Sequence, residues 1–114
     1  MEVTITGRHI DLNDDIKNII TEKAQKLKKY DKRTKFAEIV VEQVKYRYLV
    51  EILVSADHYK LQAQAENDDL LTCIDEMMSK IDRQMRRHKE KYHNKKHLRK
   101  SSPFDEMSDE DEEE

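Results

Sequence analysis

The stretch that decides the fold is YKLQAQAENDDLLTCIDEMMSKIDRQM, residues 59–85. Its first part alternates polar and apolar residues, which predicts a strand over 59–66. Its second part changes to apolar spacings of three and four, which predicts a long helix over about 68–92, capped by Asn67 or Asp68. The apolar stripe of this helix consists of Leu71, Ile74, Met78, Ile81 and Met85. A strand and a helix that are each apolar on one side indicate two layers packed face to face.

The same two periodicities recur upstream of this stretch. Alternating β-branched residues predict a strand over 3–7. Asn13 precedes a second amphipathic pattern, which predicts a helix over 13–30. Two more strands are predicted over 36–45 and 47–56, and their single polar faces are typical of antiparallel pairing. The resulting order, β-α-β-β-β-α, predicts an α+β fold with a four-stranded sheet and two helices in two layers.

Composition narrows the classes of protein that remain. The chain has 114 residues, of which 41% are charged and 36% apolar, so its core is lean and a large enclosed substrate pocket is not expected. A single glycine excludes Gly-rich phosphate-binding loops. The one cysteine, Cys73, cannot form an intrachain disulfide, and no run approaches the roughly 20 apolar residues that span a bilayer. We therefore expect a soluble, cytoplasmic protein without membrane association.

Charge is distributed in three blocks along the chain. Residues 1–79 carry a net charge of −3, residues 80–100 carry +8 and residues 101–114 carry −8. Like-charge blocks of this kind are usually interaction segments. We expect a folded domain over 1–93 and a flexible tail over 94–114 that is basic and then acidic.

The strongest functional signal is a set of cations on the polar side of the second helix. Four of them point away from its apolar stripe and two flank these four: Lys80, Arg83, Arg87 and Lys91, then Arg86 and Lys89. A helix face that is merely solvated normally carries glutamate partners at i,i+4. Here, residues 80–100 contain ten lysines and arginines but only two acidic residues. The pattern therefore favours a surface that binds nucleic-acid phosphates.

The first helix adds three lysines at a spacing of three, Lys23, Lys26 and Lys29. Lys23 falls within the apolar stripe, so either its stem covers apolar surface or the helices leave a groove there. If the two helices lie side by side, both sets of cations line that groove. We expect such a groove, which has no aromatic platform, to fit the phosphates of a folded RNA better than unstacked bases.

Other reactive side chains do not form a convincing site. No cysteine lies near His88, His93 and His97 and no acidic ligand completes a set, so no metal site is predicted. Cys73 is close to neither a histidine base nor a glycine turn, and we interpret it as a small packing residue. No catalytic pair is evident. We therefore predict a binding protein that is not an enzyme and uses no cofactor.

Several motifs resemble the ribosome hibernation-promoting factor family. They are ITGRH at 5–9, EKAQKLKKY at 22–30, DLLTCID at 69–75 and KIDRQMRRHK at 80–89. The resemblance covers about residues 1–93 and implies two parallel helices on one face of the sheet, similar to a double-stranded-RNA-binding domain. The acidic end of the chain resembles the short, tailed subtype, ribosome-associated inhibitor A, which lacks the dimerisation domain of long members.

This resemblance also implies a partner and a binding surface. Family members bind the small (30S) ribosomal subunit, and with it the 70S ribosome, in the channel of mRNA and tRNA, and they preserve idle ribosomes. The motif match places contacts to 16S rRNA on Lys23, Lys26, Lys29, Lys80, Arg83 and Arg87, with Arg8 as a further candidate. Arg86, Lys89 and Lys91 extend the same surface on charge alone. We expect a monomer that competes with mRNA and tRNA.

Two other functions stay open at this point. A generic double-stranded-RNA-binding module or RNA chaperone, with an autoinhibitory acidic tail, would share the cations but bind any A-form duplex as tightly as the ribosome. A protein-interaction adaptor would use the basic helix to bind an acidic protein. Co-sedimentation with the small subunit, reversed by mRNA plus tRNA, separates these three functions.

Deletion of residues 101–114 should strengthen non-specific RNA binding at low salt, because the −8 of this segment competes with RNA phosphates for the +8 of residues 80–100. Salt screens exposed charges beyond about 10 Å at about 0.1 M, so the gain should shrink at high salt. The affinity for duplex RNA, measured with and without these residues at two salt concentrations, checks this. Equal affinities at low salt would contradict it.

Overall fold

The computed structural model describes residues 1–94, with side chains for residues 1–89. The strands are β1 (Glu2–Arg8), β2 (Thr34–Val44), β3 (Arg47–Ala56) and β4 (Lys60–Asn67). The helices are α1 (Asp14–Gln25), which continues as the 3-10 helix η1 (Lys26–Lys29), and α2 (Leu70–Asn94). The predicted α+β class and element order are confirmed, with both helices packed on one face of one four-stranded sheet. Within residues 1–94, neither helix has the length and apolar character needed to cross a membrane.

The sheet is mixed, in the order β1-β2-β3-β4. β2, β3 and β4 pair antiparallel, as predicted. β1 instead runs parallel to β2, with Ile5 beside Ile39. The physical reason is α1, because strands joined by a helical crossover run in the same direction.

Polar side chains fix where each helix begins. The Oδ1 of Asn13 accepts a hydrogen bond from the backbone N–H of Ile16 at 2.8 Å, so the predicted cap of α1 is confirmed. α2 is capped by Asp69 rather than by Asn67 or Asp68, because Asp69 Oδ2 accepts from the N–H and the hydroxyl of Thr72 at 2.9 and 2.7 Å. These bonds lower the pKa of Asp69.

The core lies between the sheet and the helices, and α2 provides much of it. Ile74, Ile81 and Met85 are buried as predicted, and Met77 is buried as well. Leu71 was assigned to the apolar stripe but is 48% exposed. The buried face of α2 is turned toward β4, and Leu71 lies at its margin.

Cys73 is a packing residue, as predicted. Its side chain is fully buried, and the thiol lies 3.4 Å from the carbonyl oxygen of Tyr48 and 3.3 Å from that of Ala65. Burial raises the pKa of this thiol, which keeps it protonated and able to donate. It therefore ties α2 to the two strands beneath it.

Ile74→Ala should lower the free energy of unfolding by roughly 2–5 kcal/mol, because the side chain is fully buried in the core between α2 and the sheet. Leu71→Ala, one turn earlier on the same helix, is the matched control and should cost no more than about 0.5 kcal/mol. Urea unfolding of the two variants checks the assignment. Equal losses would show that the buried face of α2 is misplaced.

Candidate nucleic-acid interface

Lys80, Arg83 and Arg87 form a row on the side of α2 that faces away from α1, here named the outer row. Lys80 Nζ donates to the main-chain carbonyl of Gln64 on β4 at 2.9 Å, which places this side of α2 over the edge strand. Arg83 and Arg87 follow three and seven residues later and therefore lie on the same side. The expectation that the cations of α2 line a groove between the helices is therefore wrong for Lys80. The reason is the rotation of α2, which turns Lys80 toward β4 instead of toward α1.

The groove between the helices is crossed by polar contacts. Lys23 Nζ lies 3.1 Å from Asp75 Oδ1, and the Tyr30 hydroxyl donates to Asp82 Oδ1 at 2.7 Å. Arg86 approaches the other oxygen of Asp82 at 3.9 Å. Lys23 thus lies between the helices, and two aspartates, Asp75 and Asp82, lie there as well. A helical wheel drawn for α1 alone cannot show them, because both belong to α2.

The cations of η1 form a second group beside the groove. Lys26 and Lys29 are exposed, and a 3-10 helix has three residues per turn, so their spacing of three places them directly above each other. Lys29 Nζ lies 5.1 Å from the centre of the Tyr30 ring. Arg8 lies apart from both groups, exposed at the far end of β1 beside Glu42.

Three aromatic side chains meet at the end of the sheet where β4 begins, and sequence reasoning missed them. The rings of Tyr59 and His88 are in contact, with 3.8 Å between their centres and 37° between their planes, and Tyr30 lines the same cavity. This tyrosine–histidine cavity has a volume of about 390 Å³, with Met85 among its lining residues. The expected absence of an aromatic platform is therefore wrong at this end of the molecule. These residues come from separate elements, so no spacing in the sequence predicts their contact.

Lys32, Arg33 and Lys89 also line this cavity and are exposed. The single acid among its described lining residues is Asp31. The carboxylate of Asp31 accepts from the Arg33 side chain at 3.2 Å and from the Tyr59 hydroxyl at 2.7 Å. The cavity therefore combines aromatic surface with excess positive charge.

The charge state of this cluster follows from its hydrogen bonds. Burial acts to raise the pKa of Asp31, but the bonds donated by Arg33 and Tyr59 outweigh it, and the net shift is downward. Burial and the bond to Asp31 raise the pKa of Tyr59, so its hydroxyl stays protonated. At neutral pH Asp31 is thus a charged acceptor and Tyr59 a neutral donor.

The remaining predicted residues lie at or beyond the end of the described side chains. Lys91 belongs to α2, but its side chain lies outside the described residues, as does that of His93. His97 lies outside them altogether, so the expected absence of a histidine metal site stays a prediction. Within the part of the chain that the structure describes, no three His, Cys, Asp or Glu side chains are placed to hold a metal ion.

The sequence and the fold of this chain have relatives among known proteins. A sequence model of the family described as "Sigma 54 modulation protein / S30EA ribosomal protein" matches residues 3–93. The chain belongs to this family. It is 36% identical over 78 residues to the ribosome hibernation promoting factor of Acidithiobacillus ferridurans, a match that covers 66% of this chain and all of the relative. It is 29% identical over 91 residues to that of Azotobacter vinelandii, covering 80% of this chain and 85% of the relative.

Two solved structures share the fold of this family member. A ribosomal subunit interface protein from Coxiella burnetii superposes with a TM-score of 0.73 over 78% of this chain and 98% of its own. The N-terminal domain of Protein Y from Thermus thermophilus gives 0.71 over 77% and 99%. Both are 22% identical to this chain, so the likeness concerns the fold alone. The resemblance stated from the sequence motifs is confirmed at the level of the family.

Asp31→Asn should destabilise the domain at neutral pH, because it removes the charged acceptor of Arg33 and Tyr59. The pKa of Asp31 is lower folded than unfolded, so its stabilising contribution is complete above the unfolded value of about 4 and is lost as the pH falls through the folded value. The gap in stability between wild type and variant should therefore narrow below about pH 4.

Urea unfolding of both proteins between about pH 7 and about pH 3 measures this gap. Asp57→Asn is the control, because Asp57 is an exposed acid that pairs with Lys35 at the surface. Its substitution should change stability by no more than about 0.5 kcal/mol at neutral pH. A gap between wild type and Asp31→Asn that stays constant with pH would contradict the assigned role.

Proposed function

We propose that the protein is a ribosome hibernation factor that binds the 30S subunit through phosphates of 16S rRNA, in the channel of mRNA and tRNA. In this proposal the bound monomer blocks translation by occlusion and stabilises idle ribosomes in the cytoplasm. It does so as a binding protein, without catalysis or a cofactor. Membership of the family supports the proposal, since the relatives carry the name ribosome hibernation promoting factor.

The observation that carries the proposal is the outer row, supported by the cations of η1. α2 is held by the core, so the spacing of Lys80, Arg83 and Arg87 is set before RNA binds, over about 10 Å of helix. An ammonium group has three donors, and the bond from Lys80 to Gln64 uses one of them. The other two donors of the Lys80 ammonium group can reach a phosphate. Because this side chain is already anchored, it loses little further conformational freedom on binding.

Lys23, which lies between the helices, contributes to RNA binding in a different way from the outer row. Lys23 is paired with Asp75, but the two side chains are 38% and 64% exposed, and exposed ion pairs are worth only about 0–1 kcal/mol. A phosphate can therefore replace Asp75 at little cost. Binding that depends on such contacts weakens steeply with salt, because each phosphate contact releases counterions.

A generic double-stranded-RNA-binding protein is the second candidate. The outer row favours it too, because a straight line of cations on one helix also fits the phosphates of any A-form duplex. The two functions differ in the preferred partner. A hibernation factor binds the 30S subunit more tightly than free duplex RNA and is displaced by mRNA plus tRNA.

Lys80→Glu/Arg83→Glu/Arg87→Glu should abolish co-sedimentation with 30S subunits while leaving the domain folded. The three side chains of the outer row lie outside the buried core and are half-buried, and the one hydrogen bond lost at Lys80 costs about 0.5–1.5 kcal/mol. Sedimentation at several salt concentrations and thermal melts measure the two effects. A folded variant that sediments like wild type would refute the proposed surface.

The matched control reverses three exposed lysines that lie outside both the outer row and η1, Lys17→Glu/Lys45→Glu/Lys60→Glu. It changes the net charge by the same amount but leaves the outer row intact. This variant should retain most of the binding. Equal losses in both variants would show that overall charge, not the placement of the cations, governs binding.

A further inference from the structure

We propose that the tyrosine–histidine cavity binds one nucleoside phosphate, with its base on the aromatic side chains and its phosphate on the surrounding lysines. The nucleotide comes either from an unstacked position of a bound RNA or from a free nucleotide, and the two sources share this chemistry. The inference rests on the proposed function only where RNA supplies the nucleotide. The volume of the cavity, about 390 Å³, lies within the roughly 300–1,000 Å³ range of small-ligand sites.

The aromatic side chains account for recognition of a base. Tyr30 follows η1, Tyr59 belongs to the turn between β3 and β4, and His88 belongs to α2, so three elements bring rings to one cavity. The contact between His88 and Tyr59 and the bond from Tyr59 to Asp31 hold two of the rings in place. Aromatic side chains are the platforms on which unstacked bases bind, and they do so without strong preference among bases.

The cations account for recognition of a phosphate. Lys29, Lys32 and Lys89 are exposed at the edge of the cavity. The carboxylate of Asp31 is already paired with Arg33, so it offsets little of the lysine charge. A planar aromatic surface next to several cations selects a ligand that is both planar and anionic, which describes a nucleotide better than a sugar phosphate or a neutral aromatic compound.

The position of the cavity connects it with the proposed RNA surface. Lys29 belongs to both, because it lies on η1 beside the groove and also lines the cavity. An RNA whose phosphates lie along η1 can therefore place a neighbouring nucleotide in the cavity. A duplex cannot do so without unstacking, so the cavity adds a preference for single-stranded or irregular RNA.

Titration of the full chain with adenosine monophosphate, followed by NMR, tests the proposal. Resonances of Tyr59, Met85 and His88 should shift. Adenosine monophosphate should bind at least about fivefold more tightly than ribose 5-phosphate, because stacking contributes about 1–3 kcal/mol per base. Absence of shifts up to about 10 mM nucleotide, or equal affinity for ribose 5-phosphate, would overturn the proposal.

Four variants, one of them a control, distinguish the aromatic contact from the phosphate contact. His88→Ala should lower the affinity for adenosine monophosphate about tenfold and leave the affinity for ribose 5-phosphate unchanged. His88→Gln repeats this test if the alanine variant is unstable. Lys32→Gln/Lys89→Gln should weaken both ligands. Lys17→Gln/Lys60→Gln, which lies outside the cavity, should change neither. Unchanged nucleotide affinity in a folded His88 variant would refute the aromatic contact.

A further pair of measurements distinguishes the two sources. If RNA supplies the nucleotide, a short single-stranded RNA binds more tightly than adenosine monophosphate, and His88→Ala weakens 30S binding several-fold. If a free nucleotide is the ligand, the oligonucleotide gains nothing and 30S binding is unaffected. The variant Lys80→Glu/Arg83→Glu/Arg87→Glu should lose binding to the 30S subunit but still bind adenosine monophosphate. Failure of the proposed function and failure of this inference therefore give different results.

Discussion

The packing of α2 on β3 and β4 is the contact on which the rest of the structure depends. β4 presents the small side chains of Ala63 and Ala65 to the helix, which allows α2 to lie close to the edge strand. Ile74, Met77 and Ile81 fill the space between them. This contact sets the rotation of α2, and the rotation decides which of its polar residues face β4, solvent or α1. The candidate interface is therefore positioned by residues of the buried core.

The periodicity of the sequence was sufficient to predict the element order and the α+β class, because each element has one apolar face. It was not sufficient to predict the rotation of α2. A spacing of three and four locates the middle of an apolar stripe but not its width, so it assigns Leu71 to the stripe although this side chain is half-exposed. The position of Lys80 depends on the same rotation, and only the packing against β4 determines it.

The candidate site also has one part that the sequence predicts and one part that it does not. The cations could be found from the sequence, because Lys and Arg in excess over acids on a helix face are visible without a fold. The tyrosine–histidine cavity could not, because Tyr30, Tyr59 and His88 are distant in sequence and each has an ordinary role within its own element. Tyr30 continues an apolar stripe and Tyr59 precedes a strand. Only the parallel arrangement of α1 and α2 over one sheet brings them together.

The two bonds between the helices have different strengths, and this difference separates fixed from exchangeable parts of the surface. Lys23 and Asp75 form an exposed pair that an RNA phosphate can replace. Tyr30 and Asp82 are partly buried, and burial together with this bond raises the pKa of Tyr30, so the hydroxyl remains a donor to the carboxylate. A phosphate gains less at Tyr30 than at Lys23, because the neutral hydroxyl offers it one hydrogen bond and no net charge. In the proposed complex, the bond between Tyr30 and Asp82, which positions η1 and the cavity, persists while Lys23 changes its partner.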